Sequence, residues 1–160
     1  MYPYSHVKNY FLTFNLYHIQ IERNKQIREI SSLEFQWLLS FDIKPNGSQA
    51  SDPYIIYATH SLSIRFHRHT SKLYICWQTC FLYRIPLPTT YFSNIKIMQT
   101  WNVKTLKYVY SIHINGELKY STINTSPRVY SNVRLYATYS SFQPANATLR
   151  NLVFVNIPNG

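Results

Sequence analysis

Large apolar residues occupy every second position from Phe35 through Trp37, Leu39, Phe41 and Ile43, until Pro45-Asn46-Gly47 breaks the run. Two is the side-chain period of a pleated strand, so residues 35–44 are expected to form a core strand that ends in a turn. The same alternation recurs in shorter pieces. It runs through 54–59, through 62–67 with Ile64 and Phe66 inward, and through 72–78 with Leu73, Ile75 and Trp77 inward. It returns at 93–99 with Ile95 and Ile97 inward, and at 149–155 with Leu149 and Val153 alternating. Residues 10–21 alternate more loosely, with Leu12, Phe14 and Leu16 on one face, and read as an opening strand. Residues 22–32 are polar and charged, with Ile27 and Ile30 three apart, and read as a connector with room for a helical turn. Pro86 and Pro88 remove ladder donors between Phe81 and Phe92, which makes that segment a loop.

Residues 108–139 hold the strongest turn signal, Asn115-Gly116 between two β-branched and aromatic runs. A two-residue loop there sets Ile114 opposite Glu117 and Ile112 opposite Lys119, mixing apolar and charged groups on one face. A three-residue loop with Gly116 at the positive-φ position of a bulge sets Ile114 against Leu118, Ile112 against Tyr120 and Tyr110 against Thr122. Because a one-residue slip exchanges the two faces, the pattern selects the bulged turn. Its inner row is Tyr110, Ile112, Ile114, Leu118 and Tyr120, and its outer row His113, Ser111, Lys119 and Ser121. A further strand is expected at 133–137, after a loop containing Pro127.

About ten short strands separated by turn signals, with no helix of normal length, predict an all-β fold: a two-sheet antiparallel β-sandwich or jelly roll. The chain shows no repeat at solenoid or propeller spacing and no low-complexity linker. One domain over residues 1–160 is expected, with the pattern weakest in 1–32.

Composition sharpens this. Fifteen Tyr, nine Phe and three Trp against three Gly suit broad pleated surfaces. Sixteen Lys and Arg against six Asp and Glu give a net charge of +10, which raises nucleic acid, acidic glycan or an anionic surface as partners. The cations are spread singly, with one loose group at Arg65, His67, Arg68, His69 and Lys72, and such dispersal favours solvated charge over an anion-binding face. No apolar run approaches about eighteen residues, so neither a spanning helix nor membrane insertion is expected. The first residues lack the regions of a signal peptide, so either a processed or partial chain is present or the protein is not exported. Cys76 and Cys80 leave a hairpin disulfide and two free thiols both open. Sequons stand at Asn46, Asn124 and Asn146.

Several stretches now carry a likeness: Phe41-Asp-Ile-Lys-Pro, Ser93-Asn-Ile-Lys-Ile, Tyr110-Ser-Ile-His-Ile-Asn-Gly-Glu-Leu, Asn124-Thr-Ser-Pro-Arg-Val-Tyr-Ser-Asn-Val-Arg-Leu-Tyr-Ala and Leu149-Arg-Asn-Leu-Val-Phe. In their order and spacing the chain resembles laminin-G-like domains of the concanavalin A-like lectin/glucanase superfamily, over about residues 33–155 and most closely after Ser93. The resemblance implies a jelly roll used as an extracellular recognition module for glycans or proteins, with glycoside hydrolases among the wider relatives. Those relatives carry an Asp-Pro-Trp-Tyr-like loop where this chain reads Thr138-Tyr-Ser-Ser-Phe-Gln-Pro, without a carboxylate.

Glycoside hydrolysis needs two carboxyl groups about 5–9.5 Å apart. The acids are Glu22, Glu29, Glu34, Asp42, Asp52 and Glu117, with Glu117 in a turn and Asp42 alone on the outer face of its strand, so no enzyme is expected. His67 and His69 with Cys76 and Cys80 offer a zinc-type donor set, but Cys-x3-Cys is not the usual knuckle spacing, and no bound metal is expected there. No cofactor is expected; calcium through backbone carbonyls and Asp52 is the one left open. A nucleophile elbow and a glycine-rich phosphate loop are both missing. What remains is binding, for which Tyr139 and Phe142 supply rings and Arg128 a cation. The sequence therefore predicts a non-enzymatic extracellular module that takes a glycan, acidic polysaccharide included, or an extracellular protein at its rim loops. A basic, tyrosine-rich nucleic-acid-binding domain is the alternative, which the dispersed charge does not favour, followed by a glycoside hydrolase relative.

Overall fold

In the computed structural model, which describes residues 13–139 and 142–157, the described residues form twelve strands and no helix. They are β1 (Thr13–Ile19), β2 (Gln26–Leu33), β3 (Gln36–Pro45), β4 (Tyr54–Ala58), β5 (Leu62–Phe66), β6 (Leu73–Trp77), β7 (Thr79–Leu82), β8 (Ser93–Asn102), β9 (Lys107–Ile114), β10 (Glu117–Asn124), β11 (Tyr130–Tyr136) and β12 (Ala147–Ile157). Two six-stranded sheets result, ordered β1-β12-β3-β8-β9-β10 and β2-β11-β4-β5-β6-β7. Neighbouring strands are antiparallel throughout both sheets, so the expected β-sandwich is the fold.

Strict alternation in β3, β5, β6 and β8 gives each strand one buried face. Trp37, Leu39, Phe41, Ile43, Ile95, Ile97 and Ile112 from the first sheet meet Ile64, Phe66, Leu73, Ile75 and Trp77 from the second. The Trp37 and Trp77 rings touch edge-on across the layers, with centroids 4.9 Å apart. Each such side chain, fully buried, contributes about 1.5–3 kcal/mol, so this interlayer core holds the sheets together.

Three expectations need correction. Residues 22–32 are not a connector, because most of them form β2 at a sheet edge. Ile27 is an extra residue in the pairing of β2 with β11, where Leu135 faces Arg28 and Tyr136 faces Gln26. That bulge turns Ile27 and Ile30 to the same buried side, and their spacing of three imitates a helical turn. The segment from Phe81 likewise begins as strand, since Phe81 and Leu82 finish β7 opposite Ile75 and Tyr74.

The third correction is the hairpin. Asn115 and Gly116 both take left-handed φ, 51° and 81°, so a two-residue loop sets Ile114 opposite Glu117 after all. This turn matches strand twist. Asn115 also bonds β8 twice, accepting from the Asn94 amide at Oδ1 and donating its own amide to the Asn94 carbonyl, both at 2.8 Å. The bulge lies later, at Lys119, and it restores the expected pairs of Ile112 with Tyr120 and Tyr110 with Thr122. Leu118 leaves the inner row and is 58% exposed.

Cys76 and Cys80 face each other across β6 and β7 and are joined as a disulfide. Both sulfurs are therefore used, which removes them from any zinc set with His67 and His69. Leu12, in the expected opening strand, lies outside the described residues.

Candidate functional site

The outer face of the second sheet gathers aromatic rings away from the core, and β4 is its centre. Pairing of β4 with β5 slips at Ile55, so that Tyr54 faces Arg65 while Ile56 faces Ile64. Ile55 and Ile56 are both buried as a result, and Tyr54 and Tyr57, three apart, share the outer face. Tyr136 of β11 lies directly opposite Tyr57.

The chain after β11 then folds onto this face. Tyr54 donates its amide to the Gln143 carbonyl at 2.7 Å, and its own carbonyl accepts from the Ala145 amide at 2.9 Å and the Thr138 hydroxyl at 3.1 Å. A turn closed by the Phe142 amide on the Tyr139 carbonyl, 2.9 Å, delivers two more rings. Phe142 stacks on Tyr54 with centroids 3.9 Å apart, Tyr139 stacks on Tyr57 at 5.1 Å, and Tyr136 leans on Tyr139 at 4.7 Å. All five rings are half-buried, so the shelf they form is partly open to solvent.

At one end the shelf meets charge. Arg65 pairs with Asp52 at 3.0 Å and lies over the rings of Tyr74 and Tyr54, at 4.6 and 5.8 Å. Asp52 also accepts the Arg68 amide at 3.3 Å, and the His67 ring is 5.8 Å from Tyr74. The loose basic group of the sequence is thus partly gathered beside the shelf. Burial pushes the Tyr54 phenol up and Arg65 opposes the shift, so Tyr54 stays a neutral hydrogen-bonding group near pH 7.

Of the three residues expected to bind, the structure joins Tyr139 and Phe142 but not Arg128. Arg128 is exposed in the loop before β11, while Tyr139 follows that strand, so seven extended residues, about 20 Å of chain, lie between them. Sequence reasoning missed Tyr54, Tyr57 and Tyr136 because alternation within a strand does not reveal the bulge that brings the first two together.

A second polar cluster occupies the outer face of the first sheet. A bulge at Asn151, which has φ 53°, brings both Arg150 and Asn151 to Asp42 and shifts the expected alternation of 149–155, so that Leu152 and Phe154 follow Leu149 into the core and Val153 does not. Asp42 Oδ2 accepts from Asn151 Nδ2 at 2.8 Å and lies 3.5 Å from Arg150 Nε, while Oδ1 accepts from Asn94 Nδ2 at 2.9 Å. Farther along that face, burial and then Lys96, its cross-strand partner, lower the His113 pKa. The expected outer row of the hairpin is thus partly enclosed, with Ser111 buried.

No family model matches the chain, and no curated protein matches it by sequence. Solved structures do. Domain 4 of a GH43 extracellular arabinanase from Geobacillus stearothermophilus, in complex with arabinotriose, superposes with TM-score 0.55 at 14% identity, over 82% of this chain and 66% of that one. A galectin from Caenorhabditis elegans superposes with TM-score 0.54 at 9% identity, over 89% of this chain and 96% of the galectin. A sialidase from Trypanosoma rangeli gives TM-score 0.54 at 8% identity over 79% of this chain, which spans only 21% of the sialidase. At these identities the likeness shows the fold, a jelly-roll β-sandwich.

Proposed function

We propose that this chain is a non-enzymatic, extracellular glycan-binding module, laminin-G-like in kind, and that its ligand rests on the aromatic shelf of the second sheet. The observation that carries the proposal is the convergence of Tyr54, Tyr57, Tyr136, Tyr139 and Phe142 on one partly open face beside the Arg65 and Asp52 pair. Sugar rings present apolar C–H faces ringed by hydroxyls. Tyrosine offers the matching combination of a flat apolar body and a polar tip, and the ion pair supplies donors and acceptors for hydroxyl or carboxylate groups. The fold neighbours support the reading, since they include a galectin and an arabinanase domain in complex with arabinotriose.

The placement of the acids supports binding without hydrolysis. Asp42 stands on the outer face of the first sheet and Asp52 beside the second, so these two carboxylates do not flank one bond. Both are engaged by an arginine.

A glycan array of neutral oligosaccharides and acidic polysaccharides tests the proposal. Binding is expected, and Tyr57→Ala or Tyr139→Ala should weaken it about tenfold, the order of one lost stacking contact. Silence of the folded wild-type protein across the array, or full retention of binding in both variants, would overturn it.

A further inference from the structure

The opposite end of the sandwich from Tyr139 and Phe142 has a different character. β8 and β9 are joined by a four-residue turn, 103–106, pinned by Asn102, whose Oδ1 accepts the Lys104 and Thr105 amides at 2.9 and 3.2 Å. Its tip is apolar: Val103 is 75% exposed and Leu106 68% exposed. Trp101, Ile123 and Val129 at the same end bring the total to five of the nine exposed large apolar side chains among the described residues. Trp101, Leu106, Tyr108, Ile123 and Pro127 line a groove of about 380 Å³.

Leu106 holds a left-handed φ of 54°, a conformation that asparagine or glycine takes at lower cost. A large apolar side chain thus stands at a costly backbone position and points at solvent. The surrounding charge is positive. Lys104, Lys107 and Arg128 are exposed around the tip, and Glu34, the one acid at this end among the described residues, accepts the Ser32 hydroxyl at 2.6 Å.

We infer that this end docks on an anionic lipid surface. Val103 and Leu106 enter the headgroup boundary, Trp101 and Tyr108 sit at the level where amphipathic rings are favoured, and Lys104, Lys107 and Arg128 reach the lipid charges. The +10 net charge draws the whole chain toward such a surface. This is attachment by a hairpin tip. A search for long apolar runs does not sense it, and no helix of the described residues is long and apolar enough to cross a membrane. The site is separate from the aromatic shelf, so the two readings stand or fall independently.

Co-sedimentation of the whole chain with phosphatidylcholine vesicles, with and without phosphatidylserine, tests the inference. Binding should require phosphatidylserine and fall with added salt. Trp37 and Trp77 are 2% and 3% exposed, so a blue shift on binding, or quenching by lipids brominated in the acyl chain, reports Trp101. Lys104→Ser and Lys107→Ser should each weaken binding about fivefold, the order expected for one lost cation at the surface. Leu106→Asn is the decisive variant, because asparagine suits the left-handed position: thermal stability should hold or rise while vesicle binding drops. No binding to phosphatidylserine vesicles, or equal binding by Leu106→Asn and the lysine variants, would overturn the inference. So would capture of a protein by this end without any vesicle binding.

Discussion

Phe142 lies flat on Tyr54, with centroids 3.9 Å apart and planes 9° from parallel, and so closes the segment after β11 onto the outer face of β4. Stacked pairs of this kind contribute about 0.5–1.5 kcal/mol beyond the area they bury. A double-mutant cycle of Tyr54→Ala and Phe142→Ala in urea should show a coupling of about 1 kcal/mol. Zero coupling would mean that the backbone bonds of Tyr54 hold the segment without help from the rings.

Asp42 organises the first sheet's outer face through Asn94, Asn151 and Arg150. Hydrogen bonds to a charged acceptor are worth about 1.5–3 kcal/mol, reduced where water reaches them. Asp42→Asn should lower stability by about 1–2 kcal/mol, read as a lower urea midpoint at unchanged slope. Arg150→Gln should cost less, because the Arg150 side chain is 39% exposed and water screens its ion pair, although the variant also gives up the contact with the Phe92 ring, 3.5 Å from its centroid.

The legibility of this fold divides along its bulges. Where alternation is strict, as in β3, β6 and β8, the sequence names the buried face residue by residue, from Trp37 to Ile43 and from Ser93 to Gln99. Where one residue is extra, the period breaks and the reading fails: at Ile27, taken for part of a connector, at Lys119, where the bulge was expected nearer the turn, and at Ile55, which brings Tyr54 and Tyr57 together. The candidate site was half legible for the same reason. Tyr139 and Phe142 stand outside the strands and invited notice as rings in a loop, whereas their partners looked like ordinary strand residues. Asn115-Gly116 adds a further lesson, since its turn chemistry outweighed the pairing of faces and left Leu118 in solvent.

His113 gives the protein a predictable pH response. Its folded pKa is lowered, first by burial and then by Lys96, so the unfolded chain binds the proton more readily. The stabilisation from neutral His113 is present above the unfolded value of about 6.5 and is lost as pH falls from there through the lowered folded value. His113→Gln should flatten the dependence of the urea midpoint on pH between about 7 and 5. An unchanged slope in the variant would assign the acid sensitivity to other groups.

The three sequons differ in access, and the difference makes occupancy predictable. Asn124 is 8% exposed; its Nδ2 donates to Gln99 Oε1 at 2.7 Å and its Oδ1 accepts the Ser126 amide at 3.0 Å, so a glycan there would break a buried pair. Asn46 and Asn146 are exposed on adjacent turns, the Asn46 amide donating to the Asn146 carbonyl at 2.9 Å. Passage of the chain through a eukaryotic secretory pathway should therefore place glycans on Asn46 or Asn146 and leave Asn124 bare. Crowding between the two turns should keep most molecules at one glycan. Peptide mass mapping before and after glycosidase treatment reads this directly, and Asn146→Gln should shift the modification to Asn46. Substantial occupancy of Asn124 would show that the chain is modified before β8 and β10 close over that side chain.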